Sequence, residues 1–285
     1  MVNTMLAAPN APITRAIIHR SRGHHQGPIT RLMSPGDIGE QIKPFIFLDL
    51  FEADSMAGPG FAPHPHSGIA TVTVFLEGRM TYADSTGKEG ILEAGAVEWM
   101  RAGAGVWHAG EAADGGPMRG YQLWLSLPPE LELASPQSRY LDPADIVANG
   151  AVRVIIGNYA ARSSPLQLPF PITYLHVRLK DGEHWKYQPA AEHDVAFIAL
   201  NAGRIHTAGT ILEREIAVFA DGQEPIEMIA EGATEFVIGS AARHPYPLVS
   251  GYYSVHTSAN ALQQGEANIA ALARTDVVSA LHRRR

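Results

Sequence analysis

Pro63-His64-Pro65-His66-Ser67-Gly68, answered further along by Gly105-Val106-Trp107-His108, is the stretch on which the reading of this chain turns. In a β-strand alternate side chains share a face, so His64 and His66 can point at one ion while Pro65 turns away. His108 completes a three-nitrogen set from a distant strand. Neutral imidazole suits Fe, Zn, Ni and Cu, and three protein ligands leave positions for a substrate or for dioxygen.

Around these histidines the chain reads as β-structure. Short apolar runs rich in β-branched and aromatic residues, each bounded by Gly, Pro, Asp or Ser, fill residues 28 to 127: Pro44 to Phe51, Ile69 to Leu76, Met80 to Ala83, Ala96 to Met100 and Gly120 to Leu127. Hairpin signals stand at Glu77-Gly78 and Ser85-Thr86-Gly87-Lys88. Residues 131 to 150, with Ser135-Pro136 and Asp142-Pro143, read as a linker with a short helical turn at Pro143 to Val147. A second series follows: Val152 to Ile156, Ile172 to Leu179, Val195 to Leu200, Ile211 to Phe219 and Glu235 to Ile238. Leu200-Asn201-Ala202-Gly203 matches Leu76-Glu77-Gly78, so the two halves are expected to repeat one architecture. After Ser258, a plausible N-cap, Leu262, Ile269 and Leu272 recur at helical spacing.

Composition narrows the function. The 285 residues suit two ordinary domains, and Lys+Arg 22 against Asp+Glu 29 gives a net charge of −7, which speaks against a nucleic-acid surface. The one basic cluster, His282 to Arg285, reads as a solvated tail. With Cys 0 there is no disulfide, thiolate ligand or cysteine nucleophile, so a metal must use His, carboxylate and water. Met1 to Ile18 carries no sustained apolar run after a basic start; neither a signal peptide nor a membrane span is expected, and the cytoplasm is the default location. Gly103-Ala104-Gly105 begins a GxGxxG whose third glycine is His108 and which lacks a βαβ setting, so no dinucleotide site is expected. His24-His25 reads as a solvated pair in a loop.

Three ordered blocks carry a family resemblance. They are His64-Pro-His66-x-Gly68-x-x-Thr71-Val72-Thr73-x-x-Leu76-Glu77-Gly78, Ala94-Gly95-x-x-x-Trp99-Met100-x-Ala102-Gly103-x-Gly105-x-x-His108, and Gly120-x-Gln122-x-Trp124-x-x-Leu127-Pro128. The chain resembles the cupin superfamily and, in finer detail, the pirins. The resemblance implies an all-β fold of two tandem cupin (jelly-roll type) β-barrels with a short C-terminal helix. The expected division is residues 1–130 as a metal-holding domain, 131–150 as linker, and 151–285 as a second barrel without a metal, in which His176, His184, His193 and His206 are structural or surface residues. One divalent ion is implied, Fe(II) first, with Mn, Ni, Cu and Zn as alternatives.

The resemblance also implies an activity: quercetin 2,3-dioxygenase, in which a flavonol ring is opened with loss of carbon monoxide. Its partners would be a small aromatic substrate and dioxygen; the alternative is a regulatory module that binds a protein partner without catalysis. Neither reading involves nucleic acid or membrane directly, and a monomer is expected. Two departures stand out. Pirins place a carboxylate two residues after the third histidine and commonly a Glu four after the second; here those positions are Gly110 and Ala70. Glu111 is the nearest acidic residue and the candidate fourth ligand and base. In a regular strand it would face away from His108, unless a bulge at Ala109-Gly110 turned it inward. Trp99, Met100, Trp107 and Phe47 are expected as pocket walls, with Gln122 orienting a ligand from behind.

Overall fold

The computed structural model describes residues 14–55 and 61–283. The readings of the first thirteen residues and of Arg284-Arg285 lie outside these. The fold is all-β, as expected, and its strands form two barrel-like units packed back to back.

The first unit is built from two sheets. One runs, in spatial order, Gln137–Leu141, Val97–Arg101, Ile69–Glu77, Met118–Ser126, Phe45–Ala53, Ile29–Met33 and His24–Gln26; the other runs Phe61–His66, Val106–Ala112, Arg79–Asp84 and Glu89–Glu93. His24 and His25 therefore sit in a short exposed edge strand rather than a loop. The hairpin expected at Gly78 does not form: Ile69–Glu77 and Arg79–Asp84 lie in different sheets, and Gly78, at a φ of 94° that glycine adopts without steric cost, turns the chain from one sheet into the other.

The second unit is one nine-stranded sheet, curled by two long strands, Val195–Thr207 and Ile226–Ala241. Here the expected repeat of the Leu76-Gly78 turn fails. Leu200 to Gly203 lies inside Val195–Thr207, where register shifts at Leu200/Ala202 and Ala202/Arg204 mark bulges, and the chain reverses later at Ala208-Gly209. Ile211 to Phe219 is likewise two strands, Thr210–Leu212 and Ile216–Phe219.

Both ends of the described chain cross over. Ile17–Ser21 pairs with Ile216–Phe219 in the second sheet, although it precedes the first unit in sequence. Residues 249–283 return to the first unit, where the helices Ala259–Leu272 and Asp276–Arg283 lie against the strands that carry the histidines. Ser258 caps the first of these, its Oγ accepting from the Ala261 N–H at 3.2 Å. No helix among the described residues is long and apolar enough to cross a membrane.

The largest core lies between the units. Val72, Val74, Trp99, Tyr121 and Leu123 of the first meet Ile155, Tyr174, Phe197 and Val237 of the second. Phe45 and Phe197 meet edge to face, with ring centroids 5.0 Å apart. Tyr121 donates its hydroxyl proton to the Ala199 carbonyl at 3.0 Å, and Arg119 reaches Glu235 at 3.0 Å. Burial pushes Glu235 up, but hydrogen bonds from His176, Asn201 and Arg178 outweigh it and hold the carboxyl well below its ordinary value.

Candidate metal centre

The strands Phe61–His66 and Val106–Ala112 are antiparallel neighbours, with His64 opposite His108 and His66 opposite Val106. Period-two alternation therefore puts all three imidazoles on the inner face, and their ligand atoms lie within 4.8 Å of one another. The remaining ring nitrogens identify which atoms converge. His64 Nδ1 donates to the Ala62 carbonyl at 2.7 Å and His66 Nδ1 to the Tyr253 carbonyl at 3.1 Å. His108 Nδ1 stands 3.4 Å from Glu98 Oε1. Each Nδ1 thus faces an oxygen acceptor, which fixes the tautomer that leaves Nε2 free as a lone pair.

Among the described residues those lone pairs have no partner that suits them. His66 Nε2 is buried without a hydrogen bond, and His64 Nε2 and His108 Nε2 face each other at 2.9 Å. Two acceptors at that distance repel unless a proton or cation lies between them. Two nitrogens bound at ~2.1 Å and at a right angle to one ion would stand roughly 3.0 Å apart, so the spacing fits cis ligands of one metal. Burial, and then the neighbouring His108, push His64 down to about 3; burial, with His64 and His108 next, holds His66 well below its ordinary value. Both are neutral near pH 7, the form that binds metal.

The carboxylate beside this set is Glu98. It comes from Val97–Arg101, is fully buried, and accepts from Thr73 Oγ1 at 2.7 Å as well as standing next to His108. Burial alone would raise its pKa; the His108 and Thr73 hydrogen bonds win, and the group lies below its ordinary value, ionised. Glu98, Thr73 and Gln122 line the same small cavity as His64 and His108, together with Met80 and Phe61. Gln122, expected behind a ligand, lines the wall of this cavity.

Glu111 is elsewhere. Against Arg79–Asp84 the register of Val106–Ala112 is unbroken, His108 pairing with Asp84 and Glu111 with Thr81. The irregularity between His108 and Gly110 arises against Phe61–His66, whose side carries the extra residue. Glu111 accordingly keeps the outward parity of a regular strand and borders a surface recess with Pro63, Thr81 and Leu281. Met80 fills the space where a side chain at 110 would go: a Cβ on Gly110 would stand 2.7 Å from Met80 Sδ.

The aromatic walls divide by the same parity. Trp99, adjacent to Glu98, faces the core between the units. Trp107, adjacent to His108, points outward, where its Nε1 donates to the Ile269 carbonyl at 3.0 Å. Met100 packs inside with Phe47, Ile69 and Trp124. The tryptophan that meets a histidine of the converging set is Trp124, edge-on to His66 with centroids 4.9 Å apart and stacked on Phe47 at 4.0 Å; Tyr253 also stands beside His64 and His66, at 6.0 and 6.2 Å. Trp124 was present in the third sequence block, and its even-numbered offset from Gln122 places both on one face of Met118–Ser126.

Known proteins agree with this fold and pattern. The family model described as Pirin matches residues 28–125. A pirin-like protein of Caulobacter vibrioides is 32% identical over 204 residues, 67% of this chain and 72% of that relative. Two solved structures, both under 25% identical, share the fold. Quercetin 2,3-dioxygenase from Acinetobacter baumannii has a TM-score of 0.82 at 23% identity, covering 90% of this chain and 96% of that one. The bacterial pirin YhhW of Escherichia coli, in complex with nickel(II), has a TM-score of 0.63 at 21% identity, covering 81% and 98%. With its three histidines gathered in the first barrel and a relative of this identity matched over most of its length, the chain belongs to the pirin family.

Proposed function

We propose that this protein is a mononuclear metal-dependent dioxygenase of the quercetin 2,3-dioxygenase type, acting on a flavonol or another enolisable aromatic. The metal assignment is carried by the buried, unpartnered His66 Nε2 beside the facing Nε2 atoms of His64 and His108. A divalent ion there, Fe(II) in the first instance, supplies Lewis acidity and exchangeable positions. The chain's own groups do the rest. Glu98 holds His108 by its Nδ1 and takes the role of proton acceptor for an enolic hydroxyl, in place of Glu111. Thr73 keeps the Glu98 carboxylate oriented, and Gln122 offers an amide to an oxygen of the substrate from the cavity wall. The activity named for the Acinetobacter structure agrees with this reading.

A specific observation favours a second reading, a metal-containing module that binds a protein partner without turnover. The water-accessible space beside the histidines is about 20 Å³. Small-molecule pockets are ordinarily ~300–1,000 Å³, so a flavonol enters only if side chains lining the cavity move aside. One experiment decides between the two. Protein loaded anaerobically with Fe(II) is exposed to quercetin in air, while flavonol absorbance and carbon monoxide are followed. Turnover with carbon monoxide release supports the dioxygenase; bound metal without turnover supports the module; failure to retain metal rejects both.

A further inference from the structure

A chain of buried polar groups joins the metal centre to the C-terminal helix, and the dioxygenase reading makes no use of it. Ser67, the residue after His66, has its Oγ 2.8 Å from Ser254 Oγ and 3.0 Å from His256 Nε2. His256 Nδ1 stands 3.3 Å from Glu132 Oε2. Glu132, from the segment between the two units, also accepts from the Thr257 N–H at 2.6 Å and from Thr257 Oγ1 at 2.8 Å, immediately before the Ser258 cap. The residue types are those of a Ser–His–carboxylate nucleophile, but Ser67, His256 and Glu132 are all buried. Gly265 of Ala259–Leu272 closes over them: a Cβ there would lie 2.4 Å from His256 Nε2 and 2.5 Å from Ser67 Oγ. No acyl group could reach the hydroxyl, so a hydrolytic role is excluded by packing.

What the chain does reach is His66. Ser67 forms a parallel bridge with Ser254, and the Val255 N–H donates to the Ser67 carbonyl at 3.3 Å. One residue before that bridge, the Tyr253 carbonyl takes the His66 Nδ1 proton. The segment that orients this imidazole is therefore the one that leads into the helix. Trp107, adjacent to His108, is held by the same helix through Ile269.

We propose that Ser67, His256 and Glu132 are positioning residues through which docking of the helix Ala259–Leu272 sets the orientation of His66, so that metal affinity and helix docking are coupled. The proposal rests on the three histidines being metal ligands. By linkage the coupling runs both ways: a docked helix tightens metal binding, and bound metal tightens docking.

The test uses the full chain and Ni(II) as the probe. Gly265→Ala inserts a methyl group between the helix and the Ser67–His256 pair, while alanine favours the helix itself. The expected result is a fall in Ni(II) affinity of roughly 10-fold or more, with helix content by circular dichroism retained. Ile205→Val, in the core of the second sheet, lowers stability away from this path and should keep the wild-type affinity. In the wild-type protein, Ni(II) should slow amide hydrogen exchange across residues 249–272. Unchanged affinity in Gly265→Ala, or exchange in 249–272 indifferent to Ni(II), overturns the coupling alone. Wild-type protein that takes up no metal overturns the coupling and the metal reading together.

Discussion

His64 Nε2 and His108 Nε2 face each other across 2.9 Å, each with its Nδ1 turned to an oxygen. These contacts hold the rings with their lone pairs towards one point, which lowers the reorganisation that binding an ion must otherwise overcome. His66→Ala removes one of three converging nitrogens and should abolish metal retention in metal analysis of purified protein. Glu111→Ala, on the outer face, should leave metal content at the wild-type level.

Glu98 stands 3.4 Å from His108 Nδ1, where it would act on a bound metal through that imidazole. Glu98→Gln keeps shape and the Thr73 contact but replaces a charged acceptor by a neutral amide. Metal affinity should fall roughly 10- to 100-fold, measured by competition with a chelator, with the far-ultraviolet spectrum unchanged. Removal of Thr73 Oγ1 by Thr73→Val should give a smaller loss in the same direction.

Gly110 and Met80 form a second pair to test. Gly110→Glu alone must displace the Met80 thioether, the end of a flexible side chain, and should destabilise by about 1–3 kcal/mol. Combined with Met80→Ala the carboxylate has room beside the ion. The double variant should bind metal more tightly than wild type, and isothermal titration with Mn(II) checks this.

In metal-free protein, part of the acid sensitivity should come from two buried histidines outside the three that converge, in addition to His64 and His66 themselves. Burial pushes His193 down to about 4, despite Asp194; burial and then Lys43 push His244 down to about 4. Both are nearly inaccessible, at 3% and 6% exposure. Because the unfolded chain protonates first, near pH ~6.5, the stability these groups contribute is complete above that pH. It is lost as pH falls towards about 4. Urea unfolding of metal-free protein between pH 7 and 4 should show a loss of a few kcal/mol, and His193→Asn should flatten the profile.

The core between the units should make unfolding cooperative. Phe197→Ala removes a fully buried ring that meets Phe45 of the other unit, at a cost of about 3–5 kcal/mol. Fluorescence and circular dichroism should lose signal in one coincident transition.

The histidine set was legible because period-two alternation and antiparallel pairing are local rules, and His-x-His followed by a distant Gly-x-x-His obeys them. The same parity could have excluded Trp99 and Trp107, which neighbour Glu98 and His108 and must face the other way. Glu98 was missed in favour of Glu111, although it carried a signal as an acid inside Ala96-Val97-Glu98-Trp99-Met100: a carboxylate in so apolar a strand is costly unless partnered, and its partner is His108. The Leu200-Gly203 turn misled because a bulge and a hairpin use the same residues, and only cross-strand register separates them. That Ile17–Ser21 joins the second sheet had no local signal at all, since it depends on an edge left open some two hundred residues later.

That exchanged strand and the returning helices have one more consequence. Each unit is completed by a piece of chain that belongs, by sequence position, to the other, as two hands clasp by interlocking fingers. A protease cut in the segment between the units would sever the backbone and still leave a protein that migrates as one particle, because separating the fragments requires opening a sheet edge on one side and lifting helices off the metal centre on the other.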